Sequence, residues 1–257
     1  MTDSVEERPM APMIGRVLAP KPYMILAGQL REAILSGEIP ENTMLPSERL
    51  LVEQSGLTRG AVREALKTLA GEGLVQTKPG RFGGNVVTLP GRESVAVSLN
   101  QFVRGRQLPL RVLHETRTVL EPALARLAAL HRTDADLDAL ARLHRDLVDA
   151  AGNFQAFSRA NIRWHSAVAS ASHNDLLAAA LEAISYGVAV STTVHEYDTP
   201  ETRDAVIAVH AGILAAIEDG DGETAERRMR HHLSATHSRV ADPDSTVVPM
   251  SGSDDVG

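Results

Sequence analysis

The chain has 257 residues, 43% of them hydrophobic and only 3% aromatic, with a formal net charge of −7. That length suits one large domain or two ordinary ones, and the absence of Cys excludes disulfides and thiolate metal sites. There is no run of about 18 apolar residues and no apolar segment near the N-terminus of the kind a secretion signal needs, so a cytoplasmic protein with no membrane partner is expected.

The charge is uneven. Residues 21–92 hold nine Lys and Arg against seven Glu, whereas the rest of the chain holds 17 basic against 26 acidic residues. A mildly basic N-terminal part beside an acidic remainder is compatible with nucleic-acid contact through the first part alone. The predicted organisation is a flexible tail over 1–20, a first domain over 21–90, a linker helix over 91–107, a helical second domain over 108–240 and a second tail over 241–257.

In chain order, PYMILAGQLREAILS (22–36) predicts an amphipathic helix that ends at Gly37. IPENTMLP is irregular, punctuated by Pro40 and Pro46. Ser47 caps a short helix, ERLLVEQS, and Gly56 makes a tight turn. Thr58 caps the next helix, RGAVREALKTLAGEG, whose inner face carries Val62, Ala65, Leu66 and Leu69. Two helices joined by a short Gly-containing turn make a helix-turn-helix. LVQT and NVVT then read as two short strands joined by the turn-rich KPGRFGG. The expected module is a winged helix.

Its polar residues suit DNA. Arg59 and Arg63 lie four residues apart on the exposed side of the recognition helix, near its N-terminus, where helix geometry already favours phosphate. Arg can grip guanine or a phosphate with two bonds. The Thr58 hydroxyl can reach a phosphate, and Gly60 lets the backbone come close. On the wing, Lys78 and Arg81 can reach phosphate, and Gly80 lets the tip enter a groove. Any one of these would read as a solvated surface residue. Five cations between Arg59 and Arg81 against Glu64 and Glu72 favour the DNA reading.

The pieces AILSGEI, LPSER, TRGAVREAL and EGLV together resemble the DNA-binding domain of GntR-type bacterial regulators, over roughly residues 22–88. The resemblance implies DNA contacts from the Arg of LPSER, here Arg49, and from Thr58, Arg59, Arg63 and the wing glycine Gly80. Gly60 stands where that family more often has Ser, Thr or Pro. Pro79, just before Gly80, cannot donate through its backbone.

From Ser94 onward the pattern is almost all helix, predicted at about 94–104, 109–131, 134–150, 154–171, 175–196, 202–219 and 222–239. The breaks fall at Pro109, Thr133-Asp134, Gly152-Asn153, His173-Asn174, Pro200 and Gly220-Asp221-Gly222. The fold class is therefore mainly α: a winged helix-turn-helix with a small β-hairpin, followed by an all-α antiparallel bundle.

Advancing about 100° per residue places several polar residues among the apolar stripes. On the first long helix Leu113, Leu120, Leu124 and Leu127 share a face with Arg117. A core Arg needs an anion. Glu121, one turn on, would supply it; alternatively Arg117 clamps a ligand carboxylate through its fork. In NIRWH, Asn161 and His165 lie four residues apart beside the stripe of Phe157, Ala160, Trp164 and Val168. His210 falls on the stripe of Val206, Ile213 and Ile217, and His232 on that of Ala225, Met229 and Thr236, with His231 pointing away. One inward His is most often a hydrogen-bonded core residue. Three with an amide favour a divalent metal such as zinc or nickel.

This half, over about 108–235, resembles the FCD effector domain of the FadR subgroup of the same family. The resemblance rests on the helix around Arg117, NIRWHSAVASASHN and VHAGILAAIEDGDGETAERRMRHHL. It implies metal ligands at Asn161, His165, His210 and His232, with Asn where the subgroup has Asp, and a small organic acid held by the metal and Arg117. The expected protein is a homodimeric repressor, not an enzyme, that binds a palindromic double-stranded DNA operator and is tuned by a carboxylate effector. The alternatives are a metal-responsive regulator without an organic effector, and a His-metal hydrolase.

Overall fold

The computed structural model describes residues 20–80, 83–191 and 199–237. Arg81, the predicted tails beyond Pro20 and the ends of the helices predicted to reach 196 and 239 lie outside these residues. The chain divides into two compact units, one ending at Pro90 and the other beginning at Gly91.

The first unit opens with α1 (Pro22–Leu35), started by a Pro whose fixed φ suits the first helical turn and closed at Gly37, φ +80°. α2 (Glu48–Ser55) is capped by Ser47, whose hydroxyl accepts from the Leu50 N–H at 3.3 Å. α2 ends at Gly56, φ +69°, a left-handed conformation that costs glycine little. Thr58 caps α3 (Arg59–Gly71), and Val62, Ala65 and Leu69 on its inner face are fully buried. They join Leu26, Ala27 and Ile34 of α1 and Leu51 of α2 in one core.

β1 (Val75–Lys78) and β2 (Gly84–Val87) form the antiparallel hairpin, with Val75 opposite Val87 and Lys78 opposite Gly84. The segment predicted as irregular contributes more than a connection. Met44 bridges Val86, the Leu45 N–H donates to Asn85 O at 2.8 Å, and the Val87 N–H donates to Thr43 O at 2.9 Å. This stretch covers the outer edge of β2, which would otherwise expose unpaired backbone groups.

The second unit has seven helices among the described residues: α4 (Arg92–Gly105), α5 (Leu110–His131), α6 (Asp134–Asp149), α7 (Phe154–Ala171), α8 (Asp175–Ser191), α9 (Pro200–Glu218) and α10 (Gly222–His237). A 3-10 turn, Ala150–Gly152, follows α6. α4 packs along α8, and its Val103 joins a cluster with Leu113, Leu181 and Ile184. α5 is the hub, packing against α7, α8, α9 and α10. Its Ala125, Ala128 and Ala129 meet Trp164, Ile213, Ile217 and Met229 in the main core. Pro122 lies inside α5 without ending it.

Caps fix the helix entries. Pro200, predicted as a breaker, is the first residue of α9, with Thr199 as its cap. Asn153 caps α7, accepting from the Ala156 N–H at 3.0 Å. Thr133 and Asp136 make a reciprocal capping box at α6: the Asp136 N–H donates to Thr133 Oγ1 at 3.3 Å and the Thr133 N–H to Asp136 Oδ2 at 2.8 Å. Thr133→Ala should lower the stability of this unit by about 1 kcal/mol, read by urea denaturation, and Thr133→Ser should keep most of it.

Candidate functional site

The first unit offers a polar face along α3. Thr58 Oγ1 accepts from the Ala61 N–H at 3.3 Å, which leaves its hydroxyl hydrogen available to a phosphate. Arg59, Gly60 and Arg63 are exposed, on the side of α3 away from Val62 and Leu69. Arg63 Nε donates to Glu48 Oε2 at 2.8 Å. Arg49 Nη1 donates to Glu53 Oε1 at 2.7 Å, and Lys67 Nζ to Glu64 Oε1 at 2.9 Å. Lys78 is exposed at the end of β1. Gly80 has φ +114°, a conformation that strains any residue with a side chain. At Gly83 a Cβ would stand 2.1 Å from the Lys78 carbonyl oxygen, so the turn needs glycine there. Gly60 differs: a Cβ would meet only Thr58 Oγ1, at 4.0 Å, so the fold itself admits a side chain at that position.

The second unit carries its polar groups inside. α7 supplies His165, α9 His210 and α10 His232, all buried, and one ligand atom from each lies within 4.8 Å of the others. The two Nε2 atoms of His210 and His232 are 3.2 Å apart. The His165 and His232 rings are near parallel with centroids 5.4 Å apart, and both stand edge-on to His210. Trp164 closes the other side of His210, stacked at 4.0 Å. Burial pushes the His210 pKa well below the usual imidazole value, and repulsion from His165, His232, His144 and Arg117 adds to it. His210 is therefore neutral at pH 7, with a ring lone pair to offer. Nε2 of His165 and Nδ1 of His210 have no hydrogen-bond partner, nor has the buried Oδ1 of Asn161, one turn before His165. An unmet buried polar atom costs about 1–3 kcal/mol, so such a concentration suits a group that binds them.

Arg117 and Glu121 are both buried on α5, and Arg117 Nε donates to Glu121 Oε1. The other oxygen, Oε2, lies 2.5 Å from His165 Nδ1, outside hydrogen-bond angles. Burial alone would raise the Glu121 pKa. The Arg117 guanidinium and the His165 ring outweigh it and hold the carboxyl well below the usual carboxylate range. Arg117 thus has the protein anion that its sequence position called for. The stripe of α5 is also more polar than predicted. Leu120 and Leu127 are half-buried, whereas His114 and Glu121 are buried beside Arg117.

Two further polar groups escaped the sequence reading. His144 Nδ1 is buried without a partner, and burial lowers the His144 pKa. Its place between the fully buried Leu140 and Leu147 on α6 made it legible by helical spacing. The Trp164 indole N–H is likewise buried without an acceptor. Removing the shared carboxylate by Glu121→Leu should leave Arg117 uncompensated and cost about 3–5 kcal/mol in urea denaturation. The double variant Arg117→Met/Glu121→Leu should be more stable than Glu121→Leu alone.

Comparison with known proteins identifies both units. Residues 22–82 match the model of the bacterial regulatory proteins of the gntR family, and residues 112–235 match the FCD domain. The chain is 27% identical over 226 residues to the Glc operon transcriptional activator of Escherichia coli K12, covering 85% of this chain and 88% of that protein. It is 28% identical over 235 residues to the HTH-type transcriptional repressor NanR of the same strain, covering 88% and 89%. Among solved structures, Streptococcus agalactiae GntR superposes with a TM-score of 0.63 at 25% identity, over 84% of this chain and 99% of that one. No helix among the described residues is long and apolar enough to cross a membrane. The chain belongs to the GntR family, with an N-terminal helix-turn-helix domain and a C-terminal FCD domain, and is a DNA-binding transcription regulator rather than an enzyme.

Proposed function

We propose that this regulator binds a palindromic operator as a homodimer, and that its FCD domain senses a small carboxylate with the help of a divalent metal, zinc or nickel. The observation that carries the reading is the buried meeting of His165, His210 and His232 beside Arg117, in a chain whose other domain binds DNA. In the first domain, Arg49, Thr58, Arg59, Arg63, Lys78, Gly80 and Arg81 are the DNA contacts, with Gly60 allowing close approach.

The donor chemistry suits such a metal. Imidazole nitrogens fit zinc and nickel, and the chain has no competing thiolate. Three imidazoles leave room for a ligand in the coordination sphere. Glu121 beside His165 Nδ1 favours the proton there, leaving Nε2 as the lone pair, the usual role of a carboxylate behind a metal-bound His. Asn161 would be the fourth ligand, and as a neutral amide a weaker one than Asp. The bound metal would supply a positive centre for an effector carboxylate, and the Nη groups of Arg117 would take its other end.

Coupling to DNA needs only that the effector prefer the pose of lower operator affinity. The reading is repression, with release on effector binding. An activator and a repressor among the relatives, at 27% and 28% identity, mean that the same two-domain frame serves either output.

One observation favours a second reading, a plain metal sensor: Arg117 Nε is already committed to Glu121. Thermal shift with a panel of carboxylic acids, before and after chelation, separates the two. Stabilisation by acids that is lost on chelation supports the carboxylate reading; stabilisation by metal alone supports the sensor.

Arg59→Ala and Arg63→Ala should each weaken binding to an operator duplex by about 1–3 kcal/mol in a mobility-shift titration. Wild-type affinity in both folded variants would overturn the DNA-contact assignment. By elemental analysis, His210→Ala and His232→Ala should hold far less metal than wild type, and Asn161→Asp should bind it more tightly. A metal-free wild type purified without chelator would count against the site.

A further inference from the structure

We infer that Glu48 is a positioning residue for Arg63, which sets the edge of the guanidinium presented to DNA and so the base that Arg63 reads. The inference rests on Arg63 being a DNA contact.

The pair differs from the other ion pairs on this face. Arg49 with Glu53 and Lys67 with Glu64 are neighbours on a single helix, at spacings i,i+4 and i,i+3. Such exposed pairs are worth little and are readily exchanged for phosphate. Glu48 and Arg63 lie 15 residues apart and tie α2 to α3. Their side chains are also less equally exposed, 38% for Glu48 and 63% for Arg63. Glu48 is the first residue of α2, just after the Ser47 cap, where the free N–H groups of the helix favour a carboxylate. The anion thus sits at a helix end that favours it, and the longer and more exposed partner is the arginine.

The atom used decides the consequence. A guanidinium can offer either its Nε side or its terminal pair of Nη groups as a two-donor edge. Glu48 Oε2 takes Nε at 2.8 Å, so the side edge is occupied and the terminal Nη pair is left to point away. Glu48 and Arg63 line one groove of about 470 Å3, bounded by Lys67 on α3 and by Thr77 and Asn85 on the hairpin, so the pair faces the surface between recognition helix and wing. An Arg presented end-on in a fixed direction suits the O6 and N7 acceptors of a single guanine. A carboxylate on a DNA-facing surface weakens phosphate attraction for every sequence. Its effect is then to favour discrimination over total affinity.

The probe is a duplex selected by the wild-type protein from a random-core library, together with its single-base-pair variants and a scrambled duplex. Binding is measured for wild type, Glu48→Gln, Arg63→Ala, Arg63→Lys and Glu48→Gln/Arg63→Ala, each checked for folding by thermal unfolding. Arg63→Ala should lose about tenfold of the preference at one base pair. Glu48→Gln should lose most of the preference at that same base pair while binding the scrambled duplex more tightly. The double variant should match Arg63→Ala in preference. Arg63→Lys, which keeps the charge and lacks the fork, should lose the same preference and keep scrambled-duplex binding.

If Glu48→Gln changes affinity equally at every base pair, Glu48 only repels phosphate or only caps α2, and the inference is overturned. Should Glu48→Gln not fold, Arg63→Lys decides, and wild-type preference in that variant overturns it. Loss of preference in Arg63→Ala without loss in Glu48→Gln removes the positioning role alone. Full preference in Arg63→Ala removes the DNA contact on which it rests.

Discussion

A carboxylate placed between an arginine and a histidine inside a helical bundle sets the terms for the FCD domain. Glu121 faces Arg117 with one oxygen and His165 with the other, and all three are buried. An ionised carboxylate in such a place survives only with counter-charge beside it. α5, which carries both Arg117 and Glu121, packs against four other helices, so this pairing sits at the junction that orders them. The side of His165 that faces away from Glu121 is left to the cluster with His210 and His232. Structural charge compensation and the candidate ligand centre therefore share the same few atoms.

The DNA-binding domain resolves a different problem. Its core is small, and α3 must bury one face while presenting Arg59 and Arg63 on the other. Caps at Ser47 and Thr58 and the left-handed Gly56 fix how α2 meets α3, which lets Glu48 reach Arg63. The covered edge of β2 and the glycines at 80 and 83 fix where the hairpin starts and turns. Polar residues on this domain act at an exposed surface, where geometry matters more than burial.

Much of this was legible in the sequence. Ser47, Thr58, Thr133 and Asn153 declare helix starts, and the apolar spacing of α3, α7, α9 and α10 gives their buried faces. The meeting of His165, His210 and His232 followed from those faces. The stripe of α5 was harder, because Leu120 and Leu127 look like core residues by type, whereas the neighbours of α5 bury His114 and Glu121 instead. Contacts that join distant elements left no periodic trace. The Glu48–Arg63 pair, the Met44–Val86 bridge and the contact of Glu121 with His165 depend on how helices and strands meet, which spacing along one element does not encode. Helical spacing on α6 did carry His144, between Leu140 and Leu147.

The tryptophan stacked on His210 is the only one in the chain. Its indole is fully buried and lies 4.0 Å from that ring, with His165 edge-on at 5.4 Å. The DNA-binding domain contributes no indole signal of its own. The protein thus carries a built-in fluorophore against its candidate ligand centre, and its indole emission reports on that centre without a label and without a second indole to dilute it.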